Sequence, residues 1–150
     1  MLLFSYYNRK FYKIEYCWKF MERNKIYIVD DDANIRKTLV WTLQDLLSPL
    51  THMTGCDNGE SAYKDIIGNH ENVKLVFTDY NMPKMNGVEL IEKCYALDSD
   101  INFIAMSGGE PGKFSGKDIE QLALKAGAKE FLEKPFGIRQ IQEILNKYYK

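Results

Sequence analysis

The sequence has few cysteines and no long apolar run, and these absences exclude several classes of protein. Cys17, Cys56 and Cys94 are scattered without paired spacing, which argues against both a disulfide framework and a zinc site. They are typical of free thiols in a reducing cytoplasm. Nowhere do about 18 apolar residues follow one another, so no membrane span is predicted.

The chain also lacks a strong charge of either sign. The net charge is −1 over 150 residues, but residues 1–25 carry +4 and the remainder therefore −5. A mildly acidic body argues against a nucleic-acid-binding face and suits a cation-binding site. At this length we expect one domain with a sizeable core.

The first 20 residues differ in composition from the rest, since they hold 8 of the 20 aromatic residues, interspersed with basic ones. They could be an arm that binds a membrane surface or a partner, or an extra helix packed on the domain. A third interpretation is favoured, in which this extension is not part of the functional unit, because Met21 begins a natural start just before the first strand. We therefore expect an extension over residues 1–20 and one domain over residues 21–150.

From Lys25 onward, short apolar runs alternate with segments of helical periodicity. Strands are predicted over 26–29, 51–56, 75–78, 101–106 and 130–132, and helices over 35–47, 59–68, 88–95, 118–126 and 138–148. The connection over 110–117 is unusually long for an α/β protein. Five strands alternating with five helices predict a parallel sheet covered on both faces.

Polar side chains follow each of the central strands directly, where ligands bind in open α/β sheets. They are Asp30, Asp31, Asp32, Asp79, Ser107 and Lys134. Singly, each has an ordinary alternative: Asp32 can cap the next helix, Ser107 can be a turn residue, and Lys134 can be solvated. Together they place acids, a hydroxyl and an ammonium at one sheet edge, and an ammonium there is a suitable partner for a phosphoryl oxygen.

The acidic cluster favours magnesium over calcium. Asp30, Asp32 and Asn34 imitate the first half of an EF-hand loop, but Ile35 stands where glycine is required and Trp41 where glutamate is required. One or two carboxylates with a carbonyl and several waters are the pattern of Mg²⁺, which a phosphate usually completes.

At this point the residues match a family: the chain from Lys25 to Lys150 resembles the receiver domain of two-component response regulators, in the stand-alone form of the chemotaxis regulators. The resemblance is carried by IYIVDDDANIR (26–36), DNGESA (57–62), LVFTDYNMPKMNGVEL (75–90), IAMSGG (104–109) and KEFLEKPF (129–136). It implies an α/β fold with a doubly wound, five-stranded parallel sheet of the flavodoxin-like kind, in strand order 2-1-3-4-5.

The resemblance also implies a role for each polar residue at the sheet edge. Asp79 is the implied phosphoacceptor. Asp30 and Asp31 are the acidic pair that holds Mg²⁺ together with Asp79, with Asp31 as the more direct ligand and Mn²⁺ able to substitute. The backbone carbonyl of Asn81 is expected to complete the metal ligands.

Three further positions correspond to the catalytic and switching parts of the family. Ser107 matches the switch hydroxyl that reaches for the phosphoryl group, and Lys134 matches the family's lysine, whose bond to Pro135 is expected to be cis. Both are expected to assist the chemistry. Phe131 occupies the aromatic switch position, and lacking a tyrosine hydroxyl it is expected to favour burial.

The implied function is a cytoplasmic phosphorylation-activated switch that catalyses only its own phosphorylation and dephosphorylation, and is therefore not an enzyme with a separate substrate. Its expected partners are a sensor histidine kinase or histidine phosphotransferase, and an output protein binding near the fourth helix and fifth strand. The sequence does not decide between two modes of action, in which the protein either docks on a target or passes the phosphoryl group to a histidine of a phosphotransferase domain. His52 and His70, in a predicted strand and loop, do not resemble relay histidines.

Two rival functions fit the sequence less well. Phosphatases of the haloacid dehalogenase kind place their nucleophile first, in a D-x-D motif, whereas here the acidic pair comes first and the segment from Asp79 to Asn81 lacks a second acid. A binding module that had abandoned phosphorylation would be signalled by loss of Asp79, the pair or Lys134, yet all are present.

Overall fold

The computed structural model of the protein describes residues 23–108 and 115–150. The extension predicted over residues 1–20 and most of the loop predicted over 110–117 lie outside this range. None of the helices in the described part of the chain has both the length and the apolar character that crossing a bilayer requires.

The described chain builds one parallel sheet of five strands, as predicted. The strands are β1 (Lys25–Val29), β2 (His52–Cys56), β3 (Val73–Asp79), β4 (Asn102–Ser107) and β5 (Glu130–Glu133). All neighbours are parallel and their order is β2-β1-β3-β4-β5, which confirms the order implied by the family resemblance. Central β1 and β3 are almost wholly buried because their apolar runs face helices on both sides.

Helices cover both faces of this sheet. They are α1 (Ala33–Leu46), α2 (Gly59–Asn69), α3 (Gly87–Leu97), α4 (Gly116–Ala126) and α5 (Ile138–Tyr148), and a short 3₁₀ turn (His70–Asn72) precedes β3. Side chains of Asp32, Asn58, Asn86 and Ser115 each accept a hydrogen bond from a backbone N–H in the first turn of the helix that follows. These caps fix where four of the helices begin.

The alternation of side chains along β1 divides the core into two layers. Ile26 and Ile28 pack with the apolar residues of α1 and α5, whereas Tyr27 and Val29 pack with those of α2, α3 and α4. Successive residues of a strand point to opposite faces, so a continuous apolar run fills both layers.

The two ends of the described chain meet at the amino-terminal end of the sheet. The hydroxyl of Tyr149 lies 3.2 Å from the carbonyl oxygen of Asn24 and 3.0 Å from the Thr51 hydroxyl oxygen. Both contacts are on the side opposite to the carboxyl ends of the strands.

An ion-pair cluster around Asp98 lies at that same end. Its Oδ2 accepts hydrogen bonds from Arg23 at 3.1 Å and lies 3.3 Å from Nδ1 of His70. Burial raises the pKa of Asp98. The hydrogen bond from the backbone N–H of Asp100, the contact with the His70 side chain and the charge of Arg23 together outweigh burial and hold the pKa below its ordinary value. His70 thus contacts the ion pair between Arg23 and Asp98, far from the carboxyl ends of the strands.

Candidate functional site

Three carboxylates converge at the carboxyl ends of β1 and β3. Val29 pairs with Thr78 across these strands, so the residues that follow them, Asp30 and Asp79, are neighbours. One carboxylate oxygen from each of Asp30, Asp31 and Asp79 lies within 4.8 Å of the others. Asp30 and Asp79 are 1 % and 6 % exposed, so most of this negative charge is withdrawn from water.

Lys134 joins the two buried acids. Its Nζ donates to Oδ2 of Asp30 at 2.7 Å and to Oδ1 of Asp79 at 2.6 Å. The lysine comes from the loop after β5, yet its backbone N–H donates to the carbonyl of Ser107 at 2.8 Å, which holds that loop against the end of β4. One ammonium thus offsets the repulsion between carboxylates that are too buried for water to screen.

Burial and pairing shift the pKa values in this cluster. Burial raises the pKa of Asp79 above its ordinary value, because it outweighs the stabilising contact with the Lys134 ammonium. For Lys134, burial lowers the pKa, but hydrogen bonds to Asp30 and Asp79 outweigh it, so the pKa lies above its ordinary value. The ammonium therefore stays charged across the physiological range and remains available to an incoming anion.

The donor set fits a magnesium ion. All three acids offer hard oxygen ligands, and a single ammonium does not neutralise three carboxylates. Asp30 already accepts hydrogen bonds on both oxygens, from the Asp32 backbone N–H at 2.9 Å and from Lys134. Asp31 is exposed, and no described residue donates to its carboxylate. Asp31 could therefore bind a metal without giving up a hydrogen bond, whereas Asp30 could not.

The loop that follows Asp79 is held tightly against it. The backbone N–H of Asn81 donates to Oδ2 of Asp79 at 3.0 Å, and the N–H of Gly87 donates to the carbonyl of Tyr80 at 3.0 Å. A Cβ at Gly87 would lie 2.2 Å from the carbonyl oxygen of Asp79, and one at Gly59 would lie 2.3 Å from that of Met85. Glycine at both positions lets α2 and α3 approach the loop backbone.

Ser107 is the last residue of β4 and is 4 % exposed. It lies in the strand next to Asp79, because Met106 pairs with Asp79 in the register of β3 and β4. Phe131, in β5, is half-buried and packs against the apolar layer of α2, α3 and α4. The Lys134–Pro135 bond is cis, as the family resemblance implied.

Asp32 was predicted as a possible helix cap, and the structure confirms this. Its carboxylate accepts from the backbone N–H of Asn34 at 2.7 Å, which places it at the start of α1 and outside the cluster of three acids. Arg36, one turn into α1, was not predicted from the sequence as part of this site. Its guanidinium donates to the carbonyls of both Asp30 and Asp31, and the only hint in sequence was a cation five residues after the acidic pair.

The chain is similar to known proteins over nearly all of its described length. The family model of the response regulator receiver domain matches residues 26–146. A chemotaxis protein CheY homolog of Campylobacter jejuni is 32 % identical over 127 residues, which cover 81 % of this chain and 88 % of that protein. The chemotaxis protein CheY of Thermotoga maritima is 32 % identical over 132 residues, covering 84 % and 98 %.

Solved structures share the fold. A response regulator receiver domain protein from Clostridium thermocellum superposes with a TM-score of 0.72 at 23 % identity, covering 82 % of this chain and 91 % of that one. A chain in the crystal structure of the CheX-CheY-BeF3-Mg+2 complex from Borrelia burgdorferi gives a TM-score of 0.68 at 24 % identity, covering 82 % of this chain and 87 % of that one.

Proposed function

Because the chain belongs to the response regulator receiver domain family, we propose that it is a phosphorylation-activated switch of a two-component phosphorelay. Asp79 accepts a phosphoryl group from a phosphohistidine on a sensor kinase or a histidine phosphotransferase. One observation carries the proposal: the Lys134 ammonium contacts both Asp79 and Asp30 at the edge where three carboxylates meet.

The proposed chemistry is an in-line transfer. A carboxylate oxygen of Asp79 forms a bond to phosphorus while the bond from phosphorus to the imidazole nitrogen of the donor breaks, and the electron pair leaves with the imidazole. Lys134 is placed to donate to a phosphoryl oxygen as the charge moves outward from Asp79. Ser107, at the end of the adjacent strand, would donate its hydroxyl to the same group.

A divalent cation completes this proposal. Asp31, with Asp30 through water, Asp79 and the backbone carbonyl of Asn81, would hold Mg²⁺, or Mn²⁺ in its place. When bound, the ion would offset negative charge on the phosphoryl oxygens. Among the described residues, Lys134 is the cation that pairs directly with carboxylates of this cluster.

The proposed output is a change of surface at α4 and β5. Ser107 and Phe131 lie in neighbouring strands, so a shift of the Ser107 hydroxyl toward the phosphoryl group would free space for the half-buried Phe131 ring. Moving such a two-state element from mostly off to mostly on requires phosphorylation to favour the active state by about 5 kcal/mol. The altered surface would bind an output protein, or the phosphoryl group would pass on to another histidine.

On this proposal the protein catalyses only its own phosphorylation and dephosphorylation and has no separate turnover substrate. A phosphohistidine donor is cytoplasmic chemistry, which also suits the free thiols of Cys56 and Cys94. We therefore propose a cytoplasmic location.

Acetyl phosphate with and without Mg²⁺ tests the proposal, with intact mass as the readout. We expect one added phosphoryl group that requires Mg²⁺, is labile in base, and disappears in Asp79→Asn. Asp45→Asn is the matched control, because Asp45 is an exposed acid of α1. Absence of phosphate on the wild type, together with no response to beryllofluoride, would refute the proposal. Phosphate that persists in Asp79→Asn would place the acceptor elsewhere.

A further inference from the structure

The backbone at the end of β1 must turn for Asp30 and Asp31 to act together. Adjacent residues of an extended strand point to opposite faces of the sheet. Here one carboxylate oxygen from each lies within 4.8 Å of the other and of Asp79. The N–H of Asp30 still donates to the carbonyl of Cys56 at 3.1 Å, so the turn begins immediately after that contact with β2.

Arg36 contacts the chain at this turn. Its Nη1 donates to the carbonyl of Asp30 at 2.6 Å and to the carbonyl of Asp31 at 3.2 Å. The backbone N–H of Arg36 donates to the carbonyl of Asp32 at 3.1 Å, so the same residue binds three consecutive carbonyls. Its side chain passes over β2, with Cδ 3.7 Å from where a Cβ of Gly55 would stand.

Charge alone does not explain an arginine here. Its guanidinium is always protonated, yet it forms no ion pair with the carboxylates of Asp30, Asp31 or Asp79, and a positive charge near this edge weakens the attraction of the edge for a divalent cation. Because the charge of Arg36 opposes metal binding, any benefit of Arg36 to the site must come from its contacts. The contacts supply that benefit, since they are made to backbone carbonyls and none of the described hydrogen bonds of Arg36 goes to a carboxylate.

We infer that Arg36 is a positioning residue of the acidic site: its guanidinium clamps the carbonyls of Asp30 and Asp31 so that both carboxylates face Asp79. This inference rests on the proposed function, because it concerns the same metal. Asp30 is held a second time through its side chain by the Asp32 N–H and Lys134. No described residue donates to the exposed Asp31 carboxylate in this way, so the direction of that side chain depends most on the clamp.

Two substitutions separate positioning from charge. Arg36→Met removes the charge and the donors, and Arg36→Lys keeps the charge but shortens the reach and removes the planar guanidinium. If Arg36 positions the carboxylates, both variants bind a divalent cation more weakly, by about tenfold or more for Arg36→Met, as is typical when a residue that orients a ligand is lost. If Arg36 acts only as a charge, Arg36→Met binds more tightly and Arg36→Lys is unchanged.

The test titrates the full chain with Mn²⁺ and counts free ion by its paramagnetic resonance signal, so that no phosphorylation is needed. Lys37→Met is the matched control, because Lys37 is the exposed neighbour on α1 and its loss removes the same charge. We expect this variant to bind as tightly as the wild type or slightly more tightly. Circular dichroism accompanies each titration, and Arg36→Lys decides the matter if Arg36→Met is unfolded.

The outcomes keep the two proposals apart. A wild type that binds no Mn²⁺ overturns the metal site of the proposed function and the inference with it. A wild type that binds Mn²⁺, with Arg36 variants that bind equally or more tightly, overturns the inference alone. Weaker binding by both Arg36 variants beside an unchanged Lys37→Met supports it.

Discussion

Replacing Gly87 by alanine tests how rigidly the fold holds the backbone of Asp79. Gly87 is the first residue of α3, and an added Cβ would lie 2.2 Å from the carbonyl oxygen of Asp79, 3.0 Å from its carbonyl carbon and 3.1 Å from the Cα of Tyr80. All three atoms belong to the backbone, so no side chain can rotate away. Either α3 or the end of β3 must move.

The size of the effect follows from these distances. Ordinary contact with a Cβ begins at 3.4 Å, so relief requires a backbone shift of more than 1 Å. Overpacking of this kind costs about 1–3 kcal/mol, and a clash with backbone belongs at the upper end. The helix gains about 0.5–1 kcal/mol when alanine replaces glycine. We therefore expect Gly87→Ala to lower the free energy of unfolding by about 2 kcal/mol.

Urea unfolding followed by circular dichroism measures this loss, and Gly68→Ala provides the control. Gly68 lies within α2, and its added Cβ meets nothing within 4 Å. It should gain about 0.5–1 kcal/mol from the same chemical change. If the end of β3 is the part that moves, Asp79 is displaced with it, and we then also expect slower phosphorylation of Gly87→Ala. A Gly87→Ala protein as stable as Gly68→Ala would refute the reasoning, since the backbone at Asp79 would then yield without cost.

Three further outcomes are expected. Without divalent cation, Lys134→Met should lower the free energy of unfolding by about 2–3 kcal/mol, because two buried carboxylates lose their shared ammonium. Mg²⁺ should restore part of this lost stability, and equal urea midpoints with and without Mg²⁺ in this variant would contradict the expectation. Asp98 has a lowered pKa in the folded state, so its contribution to stability is present above about pH 4 and is lost as pH falls through that pKa. In urea unfolding, Asp98→Asn should therefore be about 1 kcal/mol less stable than wild type at pH 7, and this difference in stability should shrink in acid. A difference that grows below pH 4 would contradict the expectation. Burial raises the pKa of Cys94 to about 12 and that of Cys56 to about 11, so in a Cys17→Ser protein iodoacetamide at pH 7.5 should label the native state slowly by intact mass, and rapid labelling of both thiols would contradict this burial.

The architecture could be predicted from the sequence because its signals are local. Apolar runs such as 26–29 and 75–78 are buried on both faces, and parallel strands bring the first polar residue after each run to one edge. Even the weak strand over 51–56 was predicted correctly in place, although it is only partly buried as an edge strand. Strand order came from the family resemblance.

What the sequence did not give depends on contacts between distant residues. The ion pair between Arg23 and Asp98 joins residues 75 apart, and nothing near either one marks the other as a partner. The sequence predicted that Lys134 and the acids lie at the same edge of the sheet, but not that Lys134 bonds to two of them. The contacts of Arg36 with the backbone carbonyls were not predicted. The predicted start of α4 at 118 was two residues late, because Ser115 and Asp118 form a reciprocal cap and α4 therefore starts at Gly116.

The contact between Tyr149 and Asn24 brings both ends of the described chain to one end of the domain. The acids and Lys134 lie at the opposite end, and the length of a five-residue strand, about 16 Å, separates the two. A fluorophore or carrier attached at Arg23 or Lys150 would therefore lie on the side of the domain opposite to the Asp79 carboxylate. The protein can be attached to a surface through the end of the domain that holds Asn24 and Tyr149, and the end that carries the acids and Lys134 then stays accessible to a partner protein.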